Sequence, residues 1–296
     1  MHKRKQLKSF DIKKWDGPIS PEIQNSAVQA LEDGHILYLP NLHFLLSITE
    51  RQFLTPEKVD PKSKNISYDL KQDQVKGTLR TGNEAELLKG MIRRYALSSR
   101  QLLEALIPHY KPTLIQAKTS FRPVEIYGRK NPSFRKDDTL LHVDSFPSNP
   151  TKGKRILRVF TNINHEGKSR VWRAGEPFQD VVSKIAPKIS HPVWGIPYLL
   201  QLLKITKDYR TAYDHYMLQI HDTMKGDAHY QKTVPQEEIS FPPGSSWIVF
   251  TDQVSHAAIS GQHVLEQTFH LPVHGLKTES TAPLAVLSKY FNKTLV

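Results

Sequence analysis

His142 and Asp144 stand two residues apart in TLLHVDSF, and a lone histidine, His256, follows much later in QVSHAAIS. On a strand, residues i and i+2 point to one face, so the imidazole and carboxylate converge, and a later His can complete a set of three metal ligands. Two imidazoles and one carboxylate on one face of an octahedral ion leave three adjacent positions open, the donor set of a non-haem Fe(II) centre that takes a chelating co-substrate and dioxygen. With 14 His and 29 acidic residues in the chain, a His-x-Asp pair also arises by chance. Lone histidines are commonly surface or satisfied core residues, so the surrounding elements must support the reading.

Those elements change character along the chain. The first third, residues 1–113, reads as a mainly helical flank with early strands: HILYLPNLHFLL resembles a strand and a Pro turn, and residues 84–106 carry apolar side chains at helical spacing. Residues 114–177 break into short strand-like runs separated by Pro, Gly, Asn and Lys turns. Residues 178–240 return to helical spacing, with Tyr209, Tyr213, Tyr216, Met217, Ile220 and Met224 near one face, and read as an insertion. Pro242, Pro243 and Gly244 then turn the chain into SSWIVFT, QVSHAAIS and HVLEQTFHLPV, so 241–275 resumes the strands and 276–296 forms a C-terminal segment. One α+β domain over 1–296 is predicted, with a jelly-roll or cupin-like double-stranded β-helix core, flanking helices and a helical insertion.

In RVFTNIN, alternation puts Arg158, Phe160, Asn162 and Asn164 on one face. An inward Arg suits the far carboxylate of a 2-oxo acid whose keto and carboxylate oxygens chelate the metal. An edge strand with a solvated face is the competing reading. Gln267 is a further inward hydrogen-bonding group or else an ordinary surface Gln. Arg122, Arg129, Lys130, Arg135 and Lys136 precede the His142 pair, and Arg155, Arg170 and Arg173 follow it, either as an anion-attracting rim or as dispersed surface charge. HPVWGIPYLLQLLK (191–204) reads as a buried insert helix, with an interfacial membrane contact as the alternative.

Composition bounds the classes. The chain has 296 residues, 41 Lys plus Arg against 29 Asp plus Glu and a net charge of +12, which favours anionic partners. The absence of cysteine excludes thiolate metal sites, disulfides and Cys nucleophiles. HExxH, GxSxG, Walker A and GxGxxG are all missing, which removes the main signals for zinc proteolysis, α/β-hydrolase chemistry, phosphoryl transfer and nicotinamide binding. Lys3, Arg4 and Lys5 read as a solvated basic tail, and with neither a secretory signal nor a long apolar run the expected compartment is the cytoplasm.

At TSFRPVEIYGR, DDTLLHVDSFPSNP, RILRVFTNIN, RVWRAGEPF, YDHYMLQIHDTMKGDAHYQ and FPPGSSWIVFTDQVSHAAISGQHVLEQTFHLP, the chain resembles the bacterial 3-deoxy-D-manno-oct-2-ulosonic acid (Kdo) 3-hydroxylases. These are Fe(II)/2-oxoglutarate-dependent dioxygenases, and the resemblance covers most of residues 114–275. It implies Fe(II), 2-oxoglutarate and O2 as cofactor and co-substrates, with His142, Asp144 and His256 as metal ligands. The implied reaction hydroxylates C3 of Kdo in Kdo-lipid A or another lipopolysaccharide precursor, with decarboxylation of 2-oxoglutarate to succinate. The superfamily often carries a basic residue about ten positions past the last His, whereas this chain has Leu265, Glu266, Gln267 and Thr268 there. That departure directs the 2-oxoglutarate expectation to Arg158, assisted by Asn162 and Gln267, with Arg122 and Arg173 for co-substrate or sugar carboxylate. A lipid-linked anionic substrate implies peripheral contact with the cytoplasmic face of the inner membrane. The rival readings are a cupin-like metal or sugar-acid binding protein and a dioxygenase with another anionic substrate. No specific nucleic-acid partner is expected, because no nucleic-acid motif accompanies the charge.

Overall fold

The computed structural model describes residues 6–129, 133–193 and 195–296; Lys3, Arg4, Lys5 and Lys130 lie outside them. In chain order the elements are β1 (Leu7–Ser9), α1 (Pro21–Glu32), β2 (Ile36–Leu39), β3 (Ile66–Asp69), β4 (Gln74–Lys76), α2 (Gly82–Leu106), β5 (Ile115–Arg122), β6 (Arg155–Asn162) and β7 (Arg170–Ala174). There follow α3 (Phe178–Ile185), α4 (Ile196–Leu202), α5 (Ala212–Gly226), α6 (Ala228–Thr233), β8 (Glu237–Phe241), β9 (Ser246–Phe250), β10 (His256–Ser260), β11 (Val264–Leu271) and α7 (Pro283–Phe291). An eight-stranded sheet, ordered β1-β2-β9-β6-β11-β5-β3-β4, is joined by a three-stranded sheet, β10-β7-β8. The β1–β2 pair is parallel and the other pairs are antiparallel. The core is a double-stranded β-helix flanked by helices.

Strand alternation decides what each face meets. Leu157 and Val159 of β6 pack with Ile248, Phe250, Phe269 and Leu271 against α1 and α2, while Phe160 joins Trp172, Phe241, Trp247, Val249 and Val264 in the cluster that draws on both sheets. Strand β6 lies between β9 and β11 and all eight of its residues are buried, so the edge-strand reading does not hold. Tyr95 of α2 donates its hydroxyl to the Val159 and Leu265 carbonyls at 3.1 and 3.3 Å, clamping that helix across β6 and β11. Strand β8 falls almost wholly within the stretch read as helical; its alternation of Ile239 and Phe241 inward with Glu238 and Ser240 outward is too short to stand out in sequence.

The insertion builds a second core from α3, α5 and α6 with Leu141, Val143 and Ala257. Helix α5 starts on a capping box, in which Thr211 accepts from the Asp214 amide and Asp214 accepts from the Thr211 amide. The other oxygen of Asp214 accepts the Thr151 and Lys152 amides at 2.7 and 3.0 Å, tying the chain that follows Asp144 to this helix. Its apolar face (Tyr213, Tyr216, Met217, Ile220 and Met224) is buried, and Leu218, His221, Asp222 and Lys225 point the opposite stripe toward the cavity described next.

Candidate active site

Residues 142 and 256 form an isolated antiparallel bridge and exchange both backbone hydrogen bonds, at 3.0 and 2.9 Å. Directly opposed residues project to the same side, so their rings lie 4.6 Å apart. Asp144 is held by its amide to the Thr251 carbonyl at 2.8 Å, and the His142 Nε2 to Asp144 Oδ1 distance is 3.7 Å. One ligand atom from each of His142, Asp144 and His256 falls within 4.8 Å of the others. Both imidazoles donate Nδ1–H to the carbonyl two residues back, Leu140 for His142 and Val254 for His256, each at 2.8 Å. This fixes the tautomer that leaves each Nε2 lone pair free for a metal.

The electrostatics keep those donors in their ligating forms. Burial, reinforced by neighbouring cationic groups, holds His142 well below the usual imidazole range, and burial also lowers His256. Burial opposes the charge of Asp144, yet the Arg158 guanidinium overcomes it and holds the carboxyl far below the ordinary carboxylate range. Arg158 Nη2 sits 3.0 Å from Asp144 Oδ2 without a hydrogen-bonding angle, leaving that buried oxygen unsatisfied by protein donors. Neutral imidazoles, an ionised carboxylate and an underused carboxylate oxygen fit a divalent cation.

Above the three ligands opens a cavity of about 450 Å³. Among the described residues, seven cationic side chains line it (Lys64, Arg122, Arg135, Lys136, Arg158, Arg170 and Lys225) against three carboxylates, Asp138, Asp144 and Asp222. Arg158 Nη1 also contacts Glu266 at 3.3 Å, and Glu266 in turn accepts Arg122 Nε at 2.8 Å. Among the described residues the buried Arg158 Nε, Arg170 Nε and Trp172 Nε1 atoms have no partner. Burial and repulsion from Arg122 push Arg170 down to about 9, the mark of a cation short of a counter-ion. Trp172 stacks on the His256 ring at 5.0 Å, so its indole N–H is carried beside the metal ligands.

Other predicted site residues fall elsewhere. Asn162 spends its amide on the Lys168 and Phe241 carbonyls and its oxygen on the Asn164 amide, stabilising a turn beyond the cavity. Gln267 is opposite Val159 and therefore faces α2, where it bonds Thr119 and the Ala117 carbonyl. Arg173 is exposed on the outer face of β7, because alternation puts Arg170, Trp172 and Ala174 on the inner one.

The family model described as 3-deoxy-D-manno-oct-2-ulosonic acid (Kdo) hydroxylase matches residues 14–294. The chain belongs to the Kdo hydroxylase family. Among solved structures it is 50% identical to the Kdo hydroxylase KdoO, a non-heme Fe(II) alpha-ketoglutarate-dependent dioxygenase, in complex with alpha-ketoglutarate and Fe(III), with a TM-score of 0.95 covering 98% of this chain and 97% of that one. The cobalt(II) complex of KdoO matches at the same identity and coverage with a TM-score of 0.96, and the complex with succinate and Fe(III) at 0.95. The comparison with curated proteins finds no match.

Within this Kdo hydroxylase, sequence reasoning passed over Trp172 and Lys225 and treated Arg170 only as one of many flanking cations. His221 meets the His142 ring edge-on at 5.3 Å and is oriented by Asp222 at 2.9 Å, which Arg135 also holds at 2.7 Å. The signals were present in retrospect: Trp172 is i+2 from Arg170 on a strand, and Leu218, His221, Asp222 and Lys225 follow helical spacing.

Proposed function

We propose that this protein hydroxylates Kdo in an Fe(II)- and 2-oxoglutarate-dependent reaction, acting at C3 of a lipid-linked Kdo at the anionic surface of the inner membrane. The observation that carries the reading is the convergence of His142, Asp144 and His256 beneath a cavity rich in cations. These three residues would hold the iron. When bound, the metal with 2-oxoglutarate and O2 supplies the oxidising chemistry, releasing succinate and CO2 and inserting one oxygen atom into a C–H bond.

The chain's own groups bind, orient and exclude. Arg158, Arg170 and Trp172 offer buried unpartnered N–H donors and are assigned to 2-oxoglutarate, whose two carboxylates satisfy them by charge-assisted hydrogen bonds. Arg122 shares Glu266 with Arg158, lines the cavity and adds to the field on the same anion. Lys64, Arg135, Lys136 and Lys225 line the rest of the cavity and suit the sugar carboxylate and neighbouring phosphates. Phe160 and Trp172 give the inner wall an apolar surface that keeps water from the reacting carbon.

Anaerobic titration tests the assignment without turnover. Fe(II) followed by 2-oxoglutarate should give a visible metal-to-ligand charge-transfer band that depends on both additions. A protein that loads Fe(II) but shows no response to 2-oxoglutarate would shift the reading to a metal-binding cupin-like protein.

A further inference from the structure

Helix α4 is an anomaly on this surface: none of its residues is buried. Within 193–205, Leu202 is 78% exposed, Val193 66%, Tyr198 62% and Leu203 59%, and Ile196 and Ile205 are exposed beside them. The expectation of a buried insert helix is therefore overturned, since apolar periodicity does not say what covers a face. The segment is nonetheless tethered. His191 Nδ1 meets the Tyr216 hydroxyl at 2.7 Å, the Lys207 amide donates to the Ser148 carbonyl at 3.0 Å, and Arg210 Nη2 donates to the Pro147 carbonyl at 2.6 Å. Pro147 lines the active-site cavity, so this apolar surface adjoins the cavity rim.

Charge narrows the occupant. Between Asp180 and Asp208 the sequence has four lysines and no acidic residue. Lys184 pairs with Glu176 and Lys188 with Asp227, while Lys204 and Lys207 form no ion pair among the described residues. Self-association through this face would set Lys204 and Lys207 near their own copies with no carboxylate in the segment to relieve them. Leucines and a tyrosine flanked by free lysines match a bilayer interface, where apolar side chains enter the acyl boundary and cations meet anionic headgroups.

We propose that residues 195–207 form the membrane-docking element, inserting Leu202, Leu203 and their apolar neighbours into an anionic bilayer and presenting the cavity rim to lipid-linked substrate. This deepens the lipid-linked reading above and names the surface that serves it.

Flotation of the full-length protein with vesicles of phosphatidylglycerol and phosphatidylethanolamine, lacking any Kdo lipid, tests the surface apart from the substrate. The wild type should bind these vesicles, more weakly at high salt, and bind pure phosphatidylcholine poorly. Leu202→Ser with Leu203→Ser should weaken partition at least about tenfold, and Lys204→Gln or Lys207→Gln about fivefold each on the anionic vesicles alone. Because these side chains are exposed, melting temperature and turnover of detergent-dispersed Kdo-lipid should be unchanged. Wild type that ignores vesicles, variants that bind as wild type does, or a concentration-dependent dimer abolished by the Leu substitutions would each overturn the proposal. Failure to turn over dispersed Kdo-lipid while vesicle binding persists would instead overturn the substrate reading.

Discussion

Replacing Arg158 by Gln isolates the co-substrate anchor from the metal site. Arg158 is buried between Asp144 and Glu266, and its Nε has no partner among the described residues. A hydrogen bond to a charged group contributes about 1.5–3 kcal/mol, so loss of the guanidinium should raise the 2-oxoglutarate requirement roughly 10- to 150-fold. Iron binding should change much less. Both Nδ1 tethers remain in place, and the metal's own charge takes over from Arg158 in neutralising Asp144. The fold should persist because Glu266 keeps its 2.8 Å contact with Arg122. Succinate formation measured against 2-oxoglutarate concentration, alongside anaerobic Fe(II) binding, separates the two effects. An unchanged 2-oxoglutarate requirement, or loss of iron with 2-oxoglutarate affinity intact, would refute the reasoning.

Three further predictions concern other parts of the site and fold. His142→Ala or Asp144→Ala should abolish succinate formation while circular dichroism stays native, and substantial turnover in either would remove that residue from the ligand set. Trp172→Phe keeps a ring over His256 but deletes the indole N–H, so 2-oxoglutarate should weaken roughly 10- to 150-fold, the range of one hydrogen bond to a charged group; isothermal titration of the iron-loaded protein reads this directly, and unchanged affinity would show that the N–H does not meet the co-substrate. Burial, together with His165, lowers His263 from 6.5 to about 4, so the unfolded chain takes up a proton first and stability falls as pH drops from 6.5 toward 4, by on the order of 2–3 kcal/mol. His263 has φ 57°, a conformation Asn tolerates, and His263→Asn should make urea denaturation less pH-dependent across that window; an identical pH slope would rule out its contribution.

What the sequence made legible follows from local geometry. The i, i+2 spacing of His142 and Asp144, the inward face of β6 that carries Arg158 and Phe160, and the apolar stripe of α5 each need only the period of one element. What it concealed depends on pairing. Gln267 and Glu266 are adjacent, and only the register of β11 against β6 shows that Glu266 shares the Arg158 side while Gln267 faces α2. The same one-residue distinction separates Arg170 from Arg173 on β7. Asn162 lies on the inner face as alternation requires, but the Lys168 and Phe241 carbonyls take both its amide hydrogens and the Asn164 amide takes its oxygen. The exposure of α4 depended on which surfaces the rest of the chain covers, a property of the whole fold.

The central claim is tested most directly by one coupled measurement. Protein loaded anaerobically with Fe(II) and 2-oxoglutarate is mixed with Kdo-lipid A and ¹⁸O₂, and succinate and sugar mass are followed together. The account predicts succinate in step with one labelled oxygen atom on C3 of Kdo, with both products lost in Asp144→Ala. Succinate formed with the sugar unaltered would contradict the substrate, and neither product from fully iron-loaded protein would contradict the enzyme.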